Sequence, residues 1–143
     1  MLTCKIAETE KEIIDNLLIR NEVFCIEQNI SKEEEFDGLD ELSTLFVLYL
    51  ESNPIGAARL RILDNFTWKI ERLSILKEYR NKSYGSFLLN YLENYIKSLN
   101  FYDITLNAQE SAEIFYLKHN YNTIGDYFLE ANIKHIKMNK NLK

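Results

Sequence analysis

The sequence predicts an α+β domain of α/β type: a mixed, mostly antiparallel sheet of seven strands with helices on both faces. Three observations predict it. Segments with the two-residue alternation of strands interleave with helical stripes in the order β-α-(α)-β-β-β-α-β-α-β-β. The connections inside 44–75 are short enough only for antiparallel pairing, whereas the strand at 103–107 is reached through a helix and so lies parallel to its neighbour. One proline and four glycines in 143 residues leave no flexible linker or repeat array, so 1–143 reads as a single domain.

Residues 3–7 read as a short strand. Residues 9–26 read as a helix, with Thr9 as its cap, Glu12 as the capping-box partner, and Ile13, Ile14, Leu17 and Leu18 as its apolar stripe. Ser31 to Glu41 is a strongly acidic connection, which by composition is a solvated loop. Thr44–Leu50 is almost wholly apolar, as in a central strand. Asn53 and Pro54 predict a turn into a strand over 55–63, where Ala58, Leu60 and Ile62 alternate with Arg59 and Arg61. Asp64 and Asn65 turn into a strand over 68–75. A helix starts near Ser83 and carries Leu88, Tyr91, Leu92, Tyr95, Ile96 and Leu99 at helical spacing. A shorter helix over 111–119 follows the strand at 103–107, and 122–130 and 133–138 are the last two strands.

Hydrophobic residues at 46% and aromatics at 13% exclude a disordered chain. A net charge of −5 disfavours nucleic acid and anionic membranes as partners. No apolar run reaches membrane-spanning length, and the N-terminal Met-Leu-Thr-Cys-Lys-Ile lacks the layout of a signal peptide, so the expected location is cytoplasmic. Cys4 and Cys25 have neither metal-site nor redox-motif spacing and read as reduced thiols; no metal is expected.

The most informative stretch is 71–86. An apolar strand runs into the polar loop Arg80-Asn81-Lys82-Ser83-Tyr84-Gly85, and a helix follows. A loop that opens a helix offers free backbone N–H groups and the positive end of the helix dipole, a ready site for phosphate, to which Arg80 and Lys82 add charge. This stretch resembles motif A of the GNAT acetyltransferase superfamily, Arg/Gln-x-x-Gly-x-Gly/Ala, which wraps the pyrophosphate of coenzyme A. Arg80 and Gly85 match, and Ser83 stands where the family has its first glycine.

Further blocks resemble one GNAT subgroup, the ElaA/YjcF-like proteins. They are Arg20-Asn21-Glu22-Val23-Phe24-Cys25-Ile26-Glu27-Gln28 with the acidic Asp37 and Asp40 after it, Gly56-Ala57-Ala58-Arg59-Leu60, Leu106-Asn107-Ala108-Gln109, Phe115-Tyr116-Leu117-Lys118-His119-Asn120-Tyr121, and the ending 128–138. Asn120 and Asn132 replace glycines, and Asn is well able to take the same left-handed conformation. The resemblance implies the GNAT fold, with a sheet that splays open in its middle and acyl-CoA in the cleft. It implies acetyl transfer from acetyl-CoA to the amine of a small-molecule or peptide acceptor, by a monomer or homodimer.

It also implies roles for residues. Leu73, Ser74 and Ile75 meet the pantetheine through their backbone, Arg80, Asn81, Lys82, Ser83, Tyr84, Gly85 and Ser86 hold the pyrophosphate, and Asn107 bonds the pantetheine amide. Glu71 is the candidate base, with an ion pair to Arg59 or Arg72 as its competing role. Tyr116 is the candidate acid for the departing thiolate, with core packing as its competing role. Arg20, Glu27, Gln28, Asp37, Asp40 and His135 are candidates for the acceptor side. A non-catalytic acyl-CoA-binding sensor or interaction module on the same fold is the alternative function. A dinucleotide or P-loop site is disfavoured, because neither glycine motif is present.

Overall fold

The computed structural model describes residues 1–143. Its strands are Leu2–Ile6 (β1), Thr44–Leu50 (β2), Asn53–Ile62 (β3), Thr67–Ile75 (β4), Asp103–Gln109 (β5), Asn122–Glu130 (β6) and Ile133–Asn141 (β7). They form one sheet in the order β1-β2-β3-β4-β5-β7-β6, antiparallel throughout except for the parallel β4–β5 pair. The expected architecture is therefore present. The crossover between β4 and β5 is the helix Tyr84–Ser98 (α3), as parallel pairing requires.

Alternation along β2 sorts the two faces. Phe46 and Leu48 join α3, through Leu88, Leu89, Leu92 and Ile96, in a cluster of 20 buried residues. Val47 and Tyr49 point the other way, toward Ile19, Val23 and Phe24. The first of these clusters is the main core, and truncating one of its fully buried leucines to alanine costs about 2–5 kcal/mol. Of the expected α3 stripe, Leu88, Leu92 and Ile96 are buried; Leu99 is exposed and Leu89 takes its share of the core.

The first helix departs most from expectation. Thr9 caps Glu10–Arg20 (α1) and Glu12 completes the capping box, as predicted. Its buried face is not the aliphatic one, however. Asp15, Asn16, Ile19 and Arg20 face the sheet, while Ile13, Ile14 and Leu18 are exposed. Hydrogen bonds explain the rotation. Asn16 Nδ2 donates to the carbonyls of Phe46 and Ala58 at 2.9 and 3.2 Å, and Tyr49 Oη donates to Asp15 at 2.6 Å. These bonds from Asn16 and Asp15 to the sheet overrode hydrophobic periodicity. Beyond Arg20 the helix continues to Glu27 with π winding, a rare geometry that favours functional sites.

Other boundaries shift for local reasons. Residues 51–52 make the β2–β3 turn, with Glu51 at φ +55°, and the expected turn residues Asn53 and Pro54 open β3 instead. The acidic connection is ordered, with a helical turn at Lys32–Glu35 (α2) capped by Ser31. Glu113–Lys118 (α4) follows a 3₁₀ turn at Glu110–Ala112. Asn120 has φ +69°, and the bonds Tyr121 N–H to Tyr116 O and Asn120 N–H to Leu117 O close a Schellman cap, the role expected for that asparagine. Ala131 and Asn132, both at positive φ, form the tight β6–β7 hairpin. No helix is long and apolar enough to cross a membrane.

Candidate active site

The sheet splits between β4 and β5. Their parallel pairing runs from Thr67 opposite Asp103 to Ile70 opposite Leu106 and stops there. Glu71–Ile75 stay bonded to β3 and Asn107–Gln109 to β7, so the two halves diverge. A bulge in β4 sharpens the divergence: Arg59 faces Glu71 but Ala57 faces Ser74, and Arg72 between them has φ +59°. The resulting cavity of about 620 Å³ is lined by Leu73, Ser74 and Ile75 on one side and Asn107, Gln109 and Tyr116 on the other. Backbone groups of β4 that face the split beyond Ile70 have no ladder partner.

The loop 80–83 sits at the end of β4. Asn81 and Ser83 have φ +63° and +65°, so Ser83 adopts the left-handed conformation that glycine takes most readily. Ser83 is the N-cap of α3 but makes no side-chain cap, which leaves the first-turn N–H groups of this 15-residue helix open. Lys82 is exposed and forms no ion pair. A Cβ built on Gly85 would meet only ordinary contacts, the nearest being Phe115 at 3.5 Å, so packing within the chain does not require this glycine. An uncapped helix start, a free lysine and a bare Cα fit a pyrophosphate. Arg80 points elsewhere: its Nε donates to Ile75 O at 2.9 Å, and its two Nη atoms reach Glu27 at 2.6 and 2.7 Å. Ser86 Oγ lies 2.9 Å from His119 Nε2.

On the α1 side the cavity wall is a charge network. Arg20, fully buried, bonds Glu35 at 3.0 Å and Asp40 at 3.1 Å. Arg59, equally buried, bonds Asp37 at 2.8 and 2.9 Å, Asp40 at 2.9 Å and Glu71 at 3.2 Å. Arg72 bonds Asp37 at 3.2 Å and lies 2.9 Å from Glu35. Glu35, Asp37 and Asp40 of the acidic connection are thus the counter-charge to three arginines, while Glu33, Glu34 and Glu41 stay exposed to solvent. Side-chain bonds from Arg59 hold the Asp37 carboxyl well below its usual range. Burial pushes Glu35 up, and its arginine partners only partly offset it.

Of the acceptor-side candidates, Gln28, Asp37 and His135 line the cavity; Arg20, Glu27 and Asp40 do not. Among the cofactor candidates, Leu73, Ser74, Ile75, Arg80, Asn107 and Tyr116 line it, and residues 81–86 lie outside the lining at the loop and helix start. Asn107 Nδ2 is 3.4 Å from Glu130.

Glu71 lines the cavity and is held there by cations. Arg61 bonds it at 3.0 and 3.3 Å, Arg59 at 3.2 Å, and Lys69 lies 3.5 Å away. Burial raises its carboxyl, but these cations outweigh burial and the net shift is downward. Its competing role as an ion-pair partner is the one the geometry satisfies, with Arg59, Arg61 and Lys69 rather than Arg72. Tyr116 has the opposite character. Its ring packs against Phe115 and Tyr121, its hydroxyl has no hydrogen-bond partner within the chain, and burial pushes its pKa up, which keeps the proton on.

A family model described as the acetyltransferase (GNAT) domain matches residues 5–142. The chain belongs to the GNAT acetyltransferase family. Among curated relatives, the uncharacterised N-acetyltransferase YjcF of Bacillus subtilis is 38% identical over 136 residues, covering 94% of this chain and 96% of its own length. Solved structures that share the fold include two from bacteria. A putative N-acetyltransferase from Lactobacillus plantarum has a TM-score of 0.92 at 24% identity, covering 99% of both chains. Escherichia coli ElaA has a TM-score of 0.86 at 20% identity, covering 99% of this chain and 100% of its own. The ElaA/YjcF-like resemblance read from the motif blocks is thereby borne out.

Sequence reasoning passed over two features of this GNAT site. Glu35, inside the acidic run, is the partner that the buried Arg20 requires; an arginine on a helix face that must pack was the available signal. Gln109, read only as part of a motif block, donates to Gln28 at 2.7 Å across 81 residues of chain. No local pattern signals that contact.

Proposed function

We propose that this GNAT enzyme transfers an acetyl group from acetyl-CoA to the amine of an acceptor by direct attack within the split. One observation carries the reading: an unpaired opening between β4 and β5 lies beside an uncapped helix start and an unbonded tyrosine hydroxyl. Solved neighbours of the same fold, one complexed with coenzyme A and one with acetyl-CoA bound, support the cofactor. The two unpaired cysteines support a reducing, cytoplasmic setting.

When bound, acetyl-CoA supplies a thioester whose acyl carbon accepts the amine. The N–H groups at the start of α3 and Lys82 hold the pyrophosphate. Backbone groups of Leu73, Ser74 and Ile75 and the Asn107 side chain orient the pantetheine. Tyr116 gives its hydroxyl proton to the departing sulfur as the C–N bond forms and the C–S bond breaks. The amine proton goes to His135. That ring lines the cavity and donates through Nδ1 to Ile133 O at 2.7 Å, which leaves the Nε2 lone pair free to accept it. Glu71, its acceptor sites filled by cations, holds the charged wall over which the acceptor binds. Glu33, Glu34 and Glu130 line the cavity without a cationic partner and favour a positively charged acceptor.

A thermal-shift series tests the cofactor assignment. Acetyl-CoA raises the melting temperature, because a ligand that binds only the folded state stabilises it, while NAD and ATP do much less. An ATP shift equal to that of acetyl-CoA contradicts the assignment.

A further inference from the structure

We propose that Glu27 and Gln28 form a strap that ties the two lips of the split together and couples the cofactor loop to the acceptor wall, an inference that rests on the acetyl-CoA reading above. The lips are the end of β4 with its loop and the end of β5, which no longer pair beyond Ile70 and Leu106. Two consecutive residues reach both. Glu27 takes Arg80 in a two-point bond at 2.6 and 2.7 Å, and Arg80 is fixed to the end of β4 through Ile75 O. Gln28 accepts from Gln109, the last residue of β5, at 2.7 Å.

The strap has a firm base. Val23 and Phe24, one turn earlier, pack against Val47 and Ala57 on the sheet. The π winding continues into it, since Gln28 N–H bonds Val23 O, five residues back. The same bonds explain why Arg80 does not point along its loop. Its Nε, Nη1 and Nη2 are all engaged by the chain, so the backbone N–H groups and Lys82 are left for the anion. An anion that settles on these N–H groups tightens the loop that begins at Arg80, and through the Arg80–Glu27 bond it acts on the adjacent Gln28, on Gln109 and on the wall that faces the acceptor. Glu27, Gln28 and Gln109 are therefore positioning residues, acting through the lips rather than on the reacting atoms.

Amide hydrogen exchange, read by segment, tests this in two arms. In the ligand-free protein, Glu27→Ala speeds exchange over 80–86 and Gln28→Ala speeds it over 107–112, each by at least about tenfold, the loss of one strong side-chain bond. Glu27→Gln repeats the first result with side-chain size kept. Unchanged rates in these variants overturn the strap, whatever acetyl-CoA does. In the second arm, acetyl-CoA slows exchange over both 81–86 and 21–30 in the wild type, but only over 81–86 in Glu27→Gln. Equal slowing over 21–30 in that variant means direct contact and overturns the coupling. Absence of slowing over 81–86 in the wild type contradicts the acetyl-CoA reading, and the ligand-free arm still decides the strap.

Discussion

Arg59 and Glu71 are register partners in the β3–β4 ladder, and Arg59 Nη2 lies 3.1 Å from Glu71 Oε1 with the arginine closed to solvent. Arg59 also serves Asp37 and Asp40, so one buried cation organises three carboxylates beside the split. The two residues are not equivalent on removal. Arg59→Leu leaves three carboxylates without their shared partner and destabilises by about 3–5 kcal/mol. Glu71→Gln leaves Arg59 with two other carboxylates and costs about 1–3 kcal/mol. Chemical denaturation of both variants checks the order. If Glu71→Gln keeps full stability yet loses turnover, the ion-pair role assigned to Glu71 is wrong and the base role returns.

Tyr116→Phe keeps the ring and removes the hydroxyl. Acetyl-CoA affinity stays within about twofold, because the hydroxyl matters for leaving-group protonation and not for binding. Turnover falls by about 10²–10⁴-fold, the usual range for general acid catalysis. Calorimetric binding alongside steady-state kinetics separates the two, and undiminished turnover returns Tyr116 to the core.

Ser83 holds φ +65° where a residue without a side chain is at ease. Ser83→Gly stabilises the fold by up to about 1 kcal/mol and leaves acetyl-CoA binding intact or tighter. Ser83→Val, β-branched in the same conformation, weakens both. A melting temperature that falls in the glycine variant contradicts this account of the loop.

Glu12 gives the protein part of its acid sensitivity. Lys5 Nζ at 2.7 Å, and the N–H groups of Thr9 and Glu8 at 3.0 Å each, lower its carboxyl from 4.5 to about 2. A carboxyl lowered in the folded state stabilises fully above its unfolded value, and that stability is lost as pH falls through the window between 4.5 and about 2. Melting curves across this window are therefore steeper in pH for the wild type than for Glu12→Gln. Equal slopes would show that the capping box carries no linkage.

Much of this was legible in the chain. Alternation in β3 with arginines between alanine and leucine, the short turns before β4, and the stripe of α3 each specify one local answer, and the fold follows from them. The loop over 80–83 was legible as a strand-to-helix connection, because its polar residues interrupt two apolar patterns. What escaped was non-local. The buried face of α1 is set by Asn16 and Asp15 bonding to the sheet, which aliphatic spacing does not report. The acidic run was read as solvated because its counter-charges, Arg20, Arg59 and Arg72, lie on three other elements. Arg80 carried the expected charge at the expected place, yet its direction depends on Glu27, 53 residues away.

Turnover tests the central claim most directly. The protein is incubated with acetyl-CoA and a panel of mono- and diamines, and the amines are then analysed by mass spectrometry. The account predicts an acetylated amine formed in step with free coenzyme A, favouring acceptors with a second positive charge, and strongly reduced in Tyr116→Phe. Acetyl-CoA consumption that is the same with and without amine, or an acetylated product formed equally well by Tyr116→Phe, would contradict it.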